Sequence, residues 1–127
     1  MPDMFDKELI LDILHQLLEA TQKIHQRFKQ IETSSDFTSS SFGMERLDSI
    51  CMLLIATGES LKNIDKITKG ELLKQYPEID WKGAKGLRDI IAHQYFNVDA
   101  EEIFWVCEKH LPPLTETITQ MISDIKR

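Results

Sequence analysis

One short stretch of the sequence, from Arg88 to Tyr95, carries residue types that could act together on a phosphodiester. Arg88 is a permanent cation whose planar guanidinium suits phosphate oxygens. His93 can accept or donate a proton near neutral pH. A phosphate-binding cation and a proton-transfer group are the minimum needed to cleave a phosphodiester without a metal. Tyr95 adds a phenolic hydroxyl to the same stretch.

The spacing within this stretch limits how its side chains can meet. In a helix, Asp89 and His93 are four residues apart and share a face, so Asp89 could hold the imidazole by a hydrogen bond. Arg88 and His93 are five residues apart, which is about 140° around the helix axis. Unless the helix ends near His93, one protomer does not aim both groups at one point. Two protomers related by a two-fold axis could bring four such groups into one cleft.

The same residues also have ordinary structural interpretations. Arg88 is equally suited to a surface ion pair, and a helix dipole favours a histidine such as His93 near a helix C-terminus. Glu59, which follows an apolar run, is either a surface charge or a partner for Arg88. The short stretch leaves these alternatives open.

Length and composition indicate one domain that spans residues 1–127. No apolar run approaches the roughly 18 residues that a membrane span needs, and the acidic N-terminus lacks the features of a signal peptide. We therefore expect a cytoplasmic protein. Cys51 and Cys107 lie in apolar surroundings, which favours buried free thiols over a disulfide. No Cys/His cluster has metal-ligand spacing and no glycine-rich phosphate loop occurs, so we expect neither a metal site nor a cofactor.

The charge is distributed unevenly along the chain. The net charge is −6, which argues against nonspecific nucleic-acid binding by the whole molecule. The segment 62–88 nevertheless carries a net charge of +3, and the remainder carries −9. This basic segment leads directly into the stretch that begins at Arg88, although a solvated helix face would have a similar composition.

The hydrophobic pattern predicts an all-α, up-and-down bundle of four main helices. The first covers residues 3–31 and the second about 44–67, with a connector at 32–42 that Phe37 and Phe42 anchor. Asp80 is the expected N-cap of the third helix, and Asp99 that of the fourth. We expect Trp105 to cover a flank of the fourth helix. Because proline removes a backbone donor, Pro112-Pro113 should break this last helix.

The middle of the second helix is apolar on every side over residues 50–56. Such a helix must be covered on every side, and four helices cover only part of it. We therefore expect this helix to line a subunit interface, with Gly58 permitting close helix approach.

Several motifs, taken in order, resemble the HepT toxins of the HEPN superfamily of small helical domains. They are Thr57-Gly58-Glu59-Ser60, Tyr76-Pro77 with Trp81, Gly86-Leu87-Arg88 through His93 and Tyr95, Val98-Asp99 and Leu111-Pro112-Pro113-Leu114. The similarity covers nearly the whole chain.

The resemblance implies a metal-independent endoribonuclease that acts as the toxin of a toxin–antitoxin pair on an RNA such as tRNA or mRNA. It puts Arg88 and His93 at the catalytic Arg-x4-6-His positions of a HEPN-like homodimer, with Asp89 or Glu59 in support. It also puts Tyr95 at the tyrosine that the partner antitoxin, a minimal nucleotidyltransferase, modifies with AMP.

The sequence departs from this family at positions that matter for RNA. Asp89 stands where many relatives carry asparagine, and its negative charge opposes phosphate binding. An alternative function therefore stays open, in which the chain is a non-catalytic helical partner or substrate-binding subunit of a nucleotidyltransferase. The acidic net charge favours the alternative, whereas the intact set of Arg88, His93 and Tyr95 favours the nuclease.

Overall fold

A computed structural model describes residues 6–93 and 98–127 of the chain; for His93 it describes the backbone alone. These residues form helices and no strand. The α-helices are α1 (Lys7–Phe28), α2 (Ser41–Thr68), α3 (Trp81–His93), α4 (Ala100–Trp105) and α5 (Leu111–Lys126). Short 3-10 helices occupy Ser34–Phe37 and Leu73–Gln75, and a π-helical segment occupies Val106–His110.

One apolar core joins the helices. Helix α1 packs on α2 and α5, and α3 packs on α2. Each long helix buries the stripe that its apolar spacing predicts, with fully buried members such as Leu14, Ile50 and Ile118. The prediction of an all-α fold with four main helices is confirmed, counting α4, the π-helical segment and α5 as the fourth. The dimer remains a prediction.

The connector between α1 and α2 is held by its short polar residues and by one aromatic ring. The Asp36 carboxylate accepts hydrogen bonds from the backbone N–H groups of Glu32 and Thr33 at 2.8 and 3.0 Å. Phe37 is completely buried, and Ser40 caps α2 by accepting from the N–H of Gly43. The predicted anchor Phe37 is therefore confirmed.

Phe42 does not anchor this connector, so that part of the prediction was wrong. Its side chain is 44% exposed, and the guanidinium of Arg46 lies 4.4 Å from its ring centroid. Phe42 lies in the first turn of α2, on the side away from the core. Phe37 already fills the space beneath the connector.

The segment between the second 3-10 helix and α3 fixes where α3 begins. The Tyr76 hydroxyl donates to Asp124 on α5 at 2.6 Å, and the Trp81 indole N–H donates to the Tyr76 carbonyl at 2.9 Å. Asp80 accepts from the N–H of Gly83 at 3.0 Å, which confirms it as the N-cap of α3. The start of α3 is thus tied to α5 through the motif that begins at Tyr76.

The prolines interrupt the last helix in an unexpected manner. Asp99 caps α4 by accepting from the N–H groups of Glu101 and Glu102, as predicted. The Leu111 N–H then donates to the Val106 carbonyl, five residues back. Pro112 and Pro113 fall in the first turn of α5, where a missing N–H is tolerated. The hydrogen-bond register therefore changes at the prolines through a π-helical turn. The chain remains helical from α4 to α5.

Both cysteines are buried free thiols, as predicted. Burial raises the pKa of Cys51 to about 11 and that of Cys107 to about 12. Neither thiol is therefore a reactive thiolate at neutral pH. Among the helices described, none is both long and apolar enough to cross a membrane.

Gly43 and Gly86 offer opposite tests of this packing. A Cβ at Gly43 would lie 1.9 Å from the backbone carbonyl oxygen of Asp36, whereas a Cβ at Gly86 would meet no atom within 4 Å. We expect Gly43→Ala to lower the free energy of unfolding by about 1–3 kcal/mol, because the connector must move. Gly86→Ala should raise it by up to about 1 kcal/mol through helix propensity. Urea unfolding followed by circular dichroism measures both, and equal effects of the two changes would contradict this account.

Candidate active site on helices α2 and α3

Helices α2 and α3 approach each other closely at Gly58. A Cβ at this position would lie 3.2 Å from the Ala84 carbonyl oxygen, 3.3 Å from that of Lys85 and 3.5 Å from Arg88 Cβ. The prediction put the close approach at Gly58 in a subunit interface, whereas the structure shows Gly58 against α3 of the same chain. The crossing brings the middle of α3 against the residues that follow Gly58 on α2.

Arg88 lies at this crossing between two carboxylates. Its Nε is 3.1 Å from Glu59 Oε1, and its Nη1 donates to Asp89 Oδ1 at 3.1 Å. The Arg88 side chain is 47% exposed, so the guanidinium is held in place but remains open to solvent. Glu59 was interpreted as either a surface charge or a partner of Arg88, and the structure shows it as a partner of Arg88.

Asp89 joins this group to a lysine of α2. Lys62 Nζ lies 3.6 Å from Asp89 Oδ2. The hydrogen bond from Arg88, together with the charge of Lys62, lowers the pKa of Asp89 below its ordinary value. Asp89 is therefore an anion at neutral pH, and part of the positive charge of Arg88 and Lys62 is compensated within the site.

The basic segment 62–88 is only partly available to an anionic ligand. Lys85 is ion-paired with Asp65 across the crossing, and both side chains are less than one-third exposed. Lys66 forms no ion pair within the described part of the chain. Together with Lys62 and Asn63, it lines a shallow depression next to Glu59. The side of the crossing nearest Arg88 therefore carries the cations best placed to meet a ligand.

His93 is the last residue of α3 as described, and Tyr95 lies outside the described residues. The helical backbone from Arg88 to His93 keeps the two positions about 140° apart around the axis. The structure thus brings together Arg88, Asp89 and Glu59. The catalytic roles of Arg88 and His93, and the modification of Tyr95, stay predictions.

Lys62 belongs to this group of charged residues, although the sequence pattern did not single it out. Its spacing of three residues from Glu59 and four from Lys66 puts all three on one face of α2, a signal that was present in the sequence. Its pairing with Asp89 depends on how α2 and α3 cross, which spacing along one helix does not reveal. Across the described residues, no three His, Cys, Asp or Glu side chains are grouped as metal ligands would be.

Comparison with known proteins identifies the class of this chain. The profile described as "Ribonuclease HepT-like" matches residues 17–121, so the chain belongs to the HepT-like ribonuclease family.

The chain is also similar to individual curated proteins. It is 26% identical over 122 residues to "Putative RNase MJ0127" of Methanocaldococcus jannaschii, covering 94% of this chain and 93% of that protein. It is 32% identical over 69 residues to "Putative RNase MJ1216" of the same organism, covering 54% of each chain. "Putative RNase TTE0752" of Caldanaerobacter subterraneus is 29% identical over 69 residues, or 54% of this chain and 58% of that protein. No solved structure matches this chain significantly.

The exposed charges at the crossing should be separable from the packing beneath them. We expect Arg88→Ala to change the free energy of unfolding by less than about 1 kcal/mol, because exposed ion pairs contribute little. Gly58→Leu should cost about 2 kcal/mol or more, because its side chain would collide with the α3 backbone. Urea unfolding of both variants provides the measurement. A large loss of stability in Arg88→Ala would mean that the ion pairs, rather than the crossing, hold α3.

Proposed function

We propose that this HepT-like ribonuclease is the RNA-cleaving toxin of a toxin–antitoxin pair, acting in the cytoplasm on tRNA or mRNA. The observation that carries the proposal is the position of Arg88. It is half-exposed at the helix crossing, on the helix that continues to His93, in a chain of the HepT-like ribonuclease family.

The proposed reaction is an internal attack within the RNA. A 2′-hydroxyl oxygen attacks the adjacent phosphorus, a bond from phosphorus to O2′ forms, and the bond from phosphorus to O5′ breaks. The products are a 2′,3′-cyclic phosphate and a free 5′-hydroxyl. Because the nucleophile is already part of the substrate, no metal is required to supply one.

In this reaction the side chains have distinct roles. Neutral His93 of one protomer accepts the proton of the 2′-hydroxyl while water protonates the leaving O5′, and the imidazolium then returns its proton to the hydroxide that remains. Arg88 stabilises the charge that develops on the phosphoryl oxygens. Glu59 and Asp89 orient its guanidinium until the phosphate takes the place of one carboxylate.

A homodimer is part of the proposal, because one protomer holds Arg88 and His93 about 140° apart on α3. An apolar part of α2 supports it. Met52 is 66% exposed, and the neighbouring Ala56 is also exposed, one turn before Glu59. A second copy that covered these residues would lie about one turn of α2 from Glu59, the ion-pair partner of Arg88.

A second candidate function has its own supporting observation. The two carboxylates that hold Arg88 compete with phosphate for the guanidinium, as expected in a non-catalytic partner of a nucleotidyltransferase. In that case Arg88 would be an ordinary ion-pair residue.

RNA cleavage distinguishes these two functions. We expect the wild-type protein to cleave RNA in excess chelator. Arg88→Ala and His93→Ala should each lower the rate by roughly 10²–10⁴-fold, because each removes one element of transition-state stabilisation. His15→Ala is the matched control, since His15 is an exposed histidine on α1. Full activity in both site variants would refute the nuclease, and loss of activity in chelator would refute metal independence.

Mixing the two inactive variants tests the shared cleft. If Arg88 of one protomer acts with His93 of the other, a dimer of one Arg88→Ala chain and one His93→Ala chain keeps one intact site. Random exchange of protomers should then restore about a quarter of the wild-type activity. No recovery after verified exchange would mean that both groups come from one protomer, or that all four are needed.

The proposed neutralisation is AMPylation of Tyr95 by a minimal nucleotidyltransferase. The Tyr95 hydroxyl oxygen attacks the α-phosphorus of ATP, and pyrophosphate leaves. A phosphodiester and a nucleoside on Tyr95 would repel RNA and fill its path. We expect mass spectrometry of protein produced with its neighbouring nucleotidyltransferase to find one or more AMP groups on Tyr95.

Tyr76 provides the control for this modification. Burial, together with the hydrogen bond to Asp124, raises the pKa of Tyr76 to about 12, so its hydroxyl is already engaged. Tyr95→Phe should abolish the added mass, whereas Tyr76→Phe should keep it. A modified Tyr95→Phe protein would contradict the assignment.

A further inference from the structure

An apolar groove lies on the other side of α3 from Arg88. Its cavity of about 230 Å³ is enclosed by α2, α3, the segment before α3, and the junction of α4 and α5. Leu87 and Ile90 form the α3 wall, and Val106 and Leu111 form the opposite wall. We call this cavity and its rim the α3–α5 groove. Ile90 and Leu87 lie about 200° and 100° around the helix from Arg88, so the groove and Arg88 use different sides of α3, whereas the His93 position, about 60° from Ile90, lies closer to the groove.

The groove continues into exposed apolar surface. Ile90 is 43% exposed and Trp105 is 53% exposed. Trp105 was expected to cover a flank, and about half of its surface stays exposed while the rest packs beside the groove. Its indole meets the His110 ring edge-on, with centroids 4.3 Å apart, which holds the large ring at the mouth of the groove. Exposed tryptophan beside a preformed cavity is typical of the centre of a protein interface.

The rim of the groove is acidic. Glu78, Asp80 and Glu102 line it, and its described lining includes no lysine or arginine. Asp80 is engaged as the N-cap of α3, but Glu78 and Glu102 form no ion pair in the portion of the chain that the structure describes. Two uncompensated carboxylates on an apolar cavity repel phosphate and attract cations. The charge of the rim therefore disfavours RNA as its occupant.

We propose that the α3–α5 groove docks a basic segment of a partner protein, inserting one apolar side chain into the cavity and setting lysine or arginine against Glu78 and Glu102. Apolar burial and the charge of the rim then act together on one segment. The exposed face of Trp105 is also a binding surface for a cationic side chain. The apolar surface at Ile90 and Trp105 extends beyond the cavity, which fits a protein segment better than a small cation.

This proposal rests on the proposed function in one respect, the identity of the partner, which is the nucleotidyltransferase antitoxin. The groove wall that contains Ile90 belongs to the helix that leads to Tyr95, five residues further along the chain. Docking there would hold the partner on the helix that precedes, in the sequence, the tyrosine that it is proposed to modify. It would also leave the Arg88 side of α3 uncovered.

The test is direct binding of the purified nucleotidyltransferase to variants of this protein. Glu78→Lys/Glu102→Lys should weaken binding at least roughly tenfold, and the loss should shrink at high salt because the charges are screened. Trp105→Ala should weaken binding by a similar factor at every salt concentration. Glu32→Lys/Glu116→Lys is the matched control, because it makes the same change of charge at exposed glutamates outside the groove.

Every contrary result would refute an identifiable part of this proposal. Unchanged binding by both groove variants would refute the groove as the docking site, while leaving the toxin–antitoxin pairing intact. Failure of the wild-type protein to bind would refute the partner and the pairing together, and RNA cleavage would still report on the nuclease. If Trp105→Ala dissociates a homodimer in sedimentation experiments, the occupant is a second copy of this chain and the proposal is wrong. Circular dichroism verifies that each variant is folded.

Discussion

The close crossing of α2 and α3 at Gly58 is the constraint on which the rest of the site depends. With any larger residue there, the α3 backbone would have to move away from α2. The ion pair of Arg88 with Glu59, and that of Lys62 with Asp89, both span this crossing. Because these pairs are half-exposed, they position side chains more than they stabilise the fold. Packing fixes the distance between the helices, and the ion pairs form because the helices are that close.

The electrostatics of the crossing bear on the proposed phosphate site. Arg88 is neutralised by Glu59 and Asp89, so its guanidinium is not a free attraction for every polyanion. In the proposed reaction, a phosphate would have to replace a carboxylate, which favours a ligand with several simultaneous contacts over a free ion. The second carboxylate, Asp89, strengthens this requirement. The hydrogen bond from Arg88 and the charge of Lys62 lower its pKa, so the competing charge persists under more acidic conditions than for an ordinary aspartate.

The local features of this fold were predictable from sequence, because each depends on neighbouring residues. The caps at Asp80 and Asp99 and the buried thiols at Cys51 and Cys107 are of this kind. The features that were missed depend on residues far apart in the chain. The exposure of Phe42 and Trp105 and the pairing of Lys62 with Asp89 follow from how helices cross, while the π-helical turn depends on a choice between two hydrogen-bond registers.

Helix α3 presents two different surfaces. One side presents Arg88 beside Lys62, and the other presents Ile90 to a groove with an acidic rim. A partner seated in the groove would therefore leave Arg88 uncovered, while the His93 position, about 60° from Ile90 around the helix axis, lies closer to the groove. In the proposed toxin, docking would then act on the His93 side of α3 alone. AMP on Tyr95 is the covalent change that the proposal adds, at a residue that follows α3 in the sequence.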